Sequence, residues 1–299
     1  MTAEARHVAR AFRLPFLTAS ILPYAFGSFL AGGAFRPGLF LVGAVVVAAT
    51  HLSGNVLNDY ADARSGVDAR DPRYFGFFGG SKLIQEGVLP EAFYGAAAVL
   101  LAAVALGAVG LLALVRRELD IVFLYGLVLL LGWAYSAGPL RLSYRRLGEL
   151  TVFIAFGPVT VLGGYYVQTG AFPPFHVVLL SLPFGFLTAA ILLANEVPDA
   201  ADDRAADKRT LVVAVGPDRG YLLYALASAL AFMAIGACLL LGYLGGPAWL
   251  ALAGVVPVAA AATILRRRVG DKRGLVSASV LVLGVHTFVS LVLILDAVL

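Results

Sequence analysis

Apolar runs of about 20 residues recur nine times along the chain of 299, at 14–33, 37–56, 92–115, 119–137, 148–168, 175–195, 219–242, 247–265 and 275–298. That length crosses the hydrocarbon core of a bilayer as a helix. No ten-residue stretch alternates apolar with polar, as a transmembrane barrel strand would. The pattern predicts an all-α polytopic membrane protein, one domain over 1–299 with nine transmembrane helices. The first run follows Arg6, Arg10 and Arg13, as a secretory signal would. It is itself long enough to cross and eight runs follow it, so it reads as a retained first helix.

Composition agrees with the pattern. The chain is 61% hydrophobic and 13% charged, where soluble domains carry about 25% charged residues. That excludes a disordered chain, a coiled coil and an ordinary soluble enzyme. Charge then supplies orientation. Nineteen of the 22 Lys and Arg lie in, or at the edge of, alternate connections beginning with the N-terminus; only Arg36, Arg116 and Arg117 lie on the other side. Basic residues mark the cytoplasmic face, so the N-terminus is expected inside and the C-terminus outside an inner or plasma membrane. The net charge of +4 therefore reports topology, and no nucleic-acid partner is expected. The lone Cys238 in an apolar run rules out an internal disulfide and a cysteine metal cluster.

The acids are concentrated. Twelve of 18 fall in the two long connections, 57–91 and 196–218, both on the predicted cytoplasmic side. In the first, Asn55 and Asp59, and Asn58 and Asp62, are four apart and share a helical face, with Asp68 following the turn at Gly66. In the second, Asn195, Asp199 and Asp203 are spaced four and four, and Pro198 is expected to kink or end the helix. Each cluster starts from an Asn within an apolar run, where a polar side chain marks function. Asp and Asn oxygens suit a hard cation such as Mg²⁺, which takes few carboxylates and completes its shell with water and phosphate. Two facing clusters would suit two Mg²⁺ bridged by a diphosphate. Lys82 after Gly79-Gly80-Ser81, Arg141 after Tyr135-Ser136-Ala137-Gly138-Pro139-Leu140, and Lys208-Arg209 supply nearby cations. No zinc or iron site is expected, because the four histidines are scattered. His51, four before Asn55, reads as a satisfied core histidine.

Asn58-Asp59-Tyr60-Ala61-Asp62 resembles the first aspartate motif of the UbiA superfamily of intramembrane prenyltransferases. Asn195-x3-Asp199-x3-Asp203, with Lys208-Arg209-Thr210-Leu211 after it, resembles the second, and the motifs follow helices two and six as in that family. Where 4-hydroxybenzoate prenyltransferases carry a third Asp, this chain has Gly66. Gly66-Val67-Asp68, Gly79-Gly80-Ser81, Glu86-Gly87, Tyr135 to Pro139, and Gly163 to Gly170 are similar to the 1,4-dihydroxy-2-naphthoate branch of menaquinone synthesis. Asn195-Glu196-Val197-Pro198-Asp199 departs from that branch, which more often has a second Asn and a basic residue before the Asp. The resemblance implies a helix bundle around a central cavity that transfers a prenyl group from a polyprenyl diphosphate to an aromatic acceptor. It implies that Asn58, Asp62 and Asp68, with Asp59 beside them, hold one Mg²⁺, and that Asp199, Asp203 and Asn195 hold another. Lys82 and Arg141 would neutralise the leaving diphosphate, with Arg13, Asn55, Tyr135, Lys208 and Arg209 binding substrate.

Within that family, 4-hydroxybenzoate, homogentisate, chlorophyllide or a glycerol-phosphate lipid are the alternative acceptors. A cation-coupled transporter would also use membrane acids. It fits less well, since the clusters lie on one side only. A CDP-alcohol phosphotransferase would place further acids in the next helix, yet the run 92–115 has none.

Overall fold

The computed structural model describes residues 3–66, 71, 73–136 and 138–299. Asp68 lies outside the described residues. Among those described, every regular element is helical and no strand forms. In chain order the helices are α1 (Ala3–Ala11), α2 (Leu14–Phe29), α3 (Pro37–Ser65), α4 (Glu91–Arg116), α5 (Asp120–Ser136) and α6 (Gly148–Thr169). There follow α7 (Phe175–Ala205), the short α8 (Leu211–Val215), α9 (Pro217–Leu240), α10 (Pro247–Arg267) and α11 (Lys272–Val298).

Seven of these, α3, α4, α6, α7, α9, α10 and α11, are long and apolar enough to cross a membrane. The first and fourth predicted spans are the shorter apolar helices α2 and α5. Large apolar side chains face outward, with Leu114 76%, Leu119 80% and Leu240 87% exposed. Water would penalise such a surface and lipid does not. The molecule is an integral membrane protein.

Two helices outrun their apolar sequence. Helix α3 continues through the polar run to Ser65, where Gly66 adopts a positive φ of 79° and caps it. Helix α7 continues to Ala205 and passes through Pro198, which was expected to kink or end it. The reason is packing: α7 is the most enclosed of the seven spans, with Val197, Pro198 and Ala200 all buried. Tertiary contact along this buried face outweighs the missing amide of one proline. At Pro158, by contrast, α6 relaxes into a π-turn over Ala155–Val159.

Close helix crossings rest on glycine. A Cβ on Gly157 would stand 2.6 Å from the Gly185 backbone, and one on Gly164 would stand 2.5 Å from the Tyr24 carbonyl. These contacts let α6 meet α7 and α2 backbone to backbone. At one end of the bundle, connections distant in sequence meet. The Arg209 amide donates to the Tyr144 carbonyl at 3.2 Å, and the Gly79 amide donates to Asp199 at 3.0 Å. The connections that charge alone assigned to one side do converge there.

Candidate active site

The ends of α3 and α7 open onto a cavity of about 860 Å³. Asn55, Asn58 and Asp62 line it from α3, and Asn195, Glu196, Asp199, Asp202 and Asp203 line it from α7. The spacing of four read from the sequence has become two polar stripes on the wall of one chamber. Arg13, Lys82, Lys208 and Tyr135 also line it. Deeper in, the wall is apolar and aromatic, with Tyr24, Phe156 and Tyr125 among its side chains.

Hydrogen bonds set the stripes in place. Asn58 donates to Asp62 at 3.1 Å and accepts from the Ser136 hydroxyl at 3.4 Å. Asn195 accepts from Ser279 of α11 at 2.8 Å. Asp199 accepts the Gly79 amide, presented by a loop in which Gly79 and Gly80 take positive φ values of 70° and 76°. Glycine reaches that region without strain. The sequence Gly79-Gly80-Ser81 thus brings a backbone donor to one cluster and, through the Ser81 amide at 3.0 Å, to Asp59 of the other.

Asp59 differs from its neighbours. It is 2% exposed, pairs with Arg13 and accepts the Ser81 amide, and it is not among the cavity-lining residues. Its carboxylate is engaged in joining α3 to the N-terminal segment and the glycine loop. Arg141 and Arg209 also stand apart from the cavity: Arg141 lies over the Tyr144 ring at 5.0 Å, and Arg209 pairs with Asp207 at 3.0 Å. Lys208 occupies the position on the wall instead, 3.3 Å from Asp203. Burial alone would lower its ammonium pKa, but the carboxylates of Asp62 and Asp203 raise it well above its ordinary value. Lys82, 4% exposed and with a positive φ of 61°, lies beside Gly79. If it meets the phosphates of a bound substrate, Lys82→Ala raises the prenyl-donor KM about tenfold and leaves the acceptor KM unchanged in steady-state assays. An unchanged donor KM would remove Lys82 from that role.

Sequence reasoning missed a clasp at the mouth. Lys272, heading α11, bonds Asp71 at 2.9 Å and Asp202 at 2.8 Å, across 201 and 70 residues of chain. All three line the cavity. The sequence showed Lys272 only as one more basic residue of a connection, and nothing local marks it as belonging with Asp71. Hydrogen bonds from Arg73, with Lys272 beside them, hold the Asp71 carboxyl well below the usual carboxylate range. A depressed carboxyl contributes fully above its unfolded pKa near 4, and its contribution is lost only as pH falls well below that value. The clasp therefore holds across neutral and mildly acidic pH. Lys272→Ala is expected to speed proteolytic nicking of the 57–91 connection several-fold at pH 7, read by limited proteolysis in detergent. Equal rates would show that the clasp does not restrain the loop.

The donor set fits Mg²⁺. Asn58, Asp62, Asn195, Asp199 and Asp203 line the cavity, and the atoms such side chains lend to a metal ion are oxygens. Among the described residues no three His, Cys, Asp or Glu side chains already converge into a metal cage. A cation that draws on water and substrate phosphate for most of its shell needs no such cage.

The UbiA prenyltransferase family model matches residues 20–292. The chain is 33% identical over 215 residues to UbiA prenyltransferase domain-containing protein 1 of Rattus norvegicus, covering 69% of this chain and 60% of that protein. It is 28% identical over 219 residues to 1,4-dihydroxy-2-naphthoate octaprenyltransferase of Bacillus subtilis, covering 73% and 68%. The aligned part thus spans about three fifths of the length of the rat relative. A solved UbiA homolog from Archaeoglobus fulgidus, bound to GPP and Mg²⁺, has the same fold, with a TM-score of 0.63 at 14% identity over 96% of this chain and 99% of that one. The family model takes in most of the helical bundle, and the chain belongs to the UbiA prenyltransferase family.

Proposed function

We propose that the protein transfers a prenyl group from a polyprenyl diphosphate to an aromatic acceptor in a Mg²⁺-dependent reaction, with 1,4-dihydroxy-2-naphthoate as the acceptor. The observation that carries this reading is the two-part cavity, polar at the mouth and aromatic below. A prenyl diphosphate has the same two parts. The activity for which the Bacillus relative is named and the GPP and Mg²⁺ bound in the Archaeoglobus structure support the same chemistry.

Asn58 and Asp62 from α3, with Asp68, would hold one Mg²⁺, and Asp199 and Asp203 from α7, with Asn195, the second. Bound there, Mg²⁺ would offset diphosphate charge and make the diphosphate a better leaving group. Lys82, Lys208 and Arg13 add fixed positive charge around the departing oxygens. Ionisation breaks the bond between C1 and oxygen. Both electrons leave with the diphosphate, and an allylic cation remains. The apolar wall keeps water from that cation, and ring faces such as Tyr135 stabilise it. The electron-rich acceptor ring then forms the new carbon–carbon bond. The isoprenoid tail extends among the helices toward lipid.

We also propose that α2 and α5 span with the seven longer helices, giving nine crossings with the N-terminus and the cavity mouth cytoplasmic and the C-terminus outside. The 19-to-3 division of basic residues supports that orientation. Purified protein offered a panel of aromatic acceptors with prenyl diphosphates of several lengths is expected to yield prenylated naphthoate by mass spectrometry. Product only from 4-hydroxybenzoate or homogentisate would replace the acceptor. No product from any pair would remove the reaction.

A further inference from the structure

His51 stands on α3 one turn from Asn55, on the face that carries Asn58 and Asp62, and it lines the same cavity. The sequence marks it as a satisfied core histidine; the structure leaves it half satisfied. Its Nδ1 shares a hydrogen bond with the Ser20 hydroxyl of α2. Its Nε2 is buried, and no group among the described residues hydrogen-bonds to it. The Phe156 ring stands edge-on to the imidazole at 5.6 Å, so the ring is fixed on one side by a hydroxyl and on another by an aromatic wall.

Neighbouring polar groups of the deep wall are already engaged. The Thr50 hydroxyl donates to the Val46 carbonyl at 2.7 Å and meets the Tyr125 hydroxyl at 2.8 Å. Tyr24 donates to the Phe40 carbonyl at 3.0 Å, and the Asn55 amide donates to the Phe12 carbonyl at 3.1 Å. A buried polar atom without a mate is costly, and such atoms are normally met by water or ligand. At about 1.5 Å rise per residue, His51 lies roughly 10 Å below Asn58 and roughly 16 Å below Asp62 along α3. That depth leaves room for a diphosphate at the polar mouth with one ring system beneath it.

We propose that His51 Nε2 hydrogen-bonds a ring hydroxyl of the aromatic acceptor, with Ser20 holding the imidazole in place; this rests on the reading of the protein as an aromatic prenyltransferase. The contact makes His51 a determinant of acceptor selection rather than of diphosphate binding. It discriminates for a hydroxylated ring, because an analogue lacking that hydroxyl leaves Nε2 buried and unmet.

The test is steady-state kinetics on the full-length protein in detergent with a prenyl diphosphate and 1,4-dihydroxy-2-naphthoate kept reduced. His51→Ala is expected to raise the acceptor KM at least about tenfold and to leave the donor KM within about twofold. His51→Gln, which retains a hydrogen-bonding end, is expected to recover most of the affinity. Inhibition by 1-hydroxy-2-naphthoate and 4-hydroxy-2-naphthoate, each lacking one ring hydroxyl, gives a readout that a merely structural role would not move. Wild-type protein should bind at least one of them several-fold more weakly than the dihydroxy acid, and His51→Ala should lose that discrimination. An unchanged acceptor KM, an equal rise in both KM values, or discrimination retained in His51→Ala would overturn the inference. Failure of wild-type protein to prenylate any aromatic acceptor would instead overturn the reading on which it rests.

Discussion

Replacing Asp199 with alanine is expected to lower prenyl transfer about a hundred- to a thousandfold while the protein still inserts and purifies as a single species. Asp199 lines the cavity toward the C-terminal end of α7 and accepts the Gly79 amide, so it is placed to serve both a cation and the loop. The two roles separate by substitution. Asp199→Asn keeps an acceptor for Gly79 but removes the charge. If the charge matters to a bound cation, Asn and Ala lose activity alike. If the loop matters, Asn retains most of it. Turnover of both variants at saturating Mg²⁺, with size-exclusion profiles to confirm folding, reads the difference. Full activity in Asp199→Ala would remove the second cluster from the reaction.

Asp59→Ala should fail for another reason. Asp59 was expected beside Asp62 among the cation ligands, yet it is buried against Arg13 and the Ser81 amide and lies off the cavity wall. Truncation leaves a guanidinium and a backbone donor without their carboxylate. Breaking a buried pair by removing one member costs about 3 kcal/mol. The expected result is a clear fall in thermal midpoint and yield, measured by fluorescence-detected size exclusion with heating. An additional Arg13 substitution should restore part of that stability, because the guanidinium that lost its carboxylate is then removed as well. A variant of wild-type stability that has lost Mg²⁺ dependence would place Asp59 among the ligands after all.

These two residues show what the sequence conveys and where it stops. Spacing of four placed Asn195, Asp199 and Asp203 on one face, and they do line one wall. The same spacing placed Asn55 with Asp59 and Asn58 with Asp62. Periodicity assigns a helical face but not the neighbour that the face meets, so Asp62 on the cavity and Asp59 against Arg13 looked alike. Helix bounds show the same limit. The apolar run ends near Val56, while α3 continues to Ser65, because polar residues in the mouth of a cavity extend a helix without extending its hydrophobic stretch. Pro198 read as a place to kink or end the helix because local preference was all the sequence offered; the helix does not end there, and the burial of Val197, Pro198 and Ala200 accounts for its continuing. Lys272 and His51 were visible as residue types only. Their meaning lies in long-range partners: Asp71 and Asp202 for one, Ser20 and an unmet nitrogen for the other. Family motifs made the chemistry at the ends of α3 and α7 legible, and packing determines how the rest of the cavity serves it.

Two polar stripes, one from α3 and one from α7, line one cavity and are expected to act together on one diphosphate. Binding of a non-reactive prenyl thiodiphosphate, titrated by calorimetry with Mg²⁺ and again with EDTA, tests this most directly in wild type, Asp62→Ala and Asp199→Ala. Binding in wild type is expected to depend on Mg²⁺ and to fall at least tenfold in each variant, since neither stripe suffices alone. Binding that is indifferent to Mg²⁺, or that survives loss of either carboxylate, would contradict it.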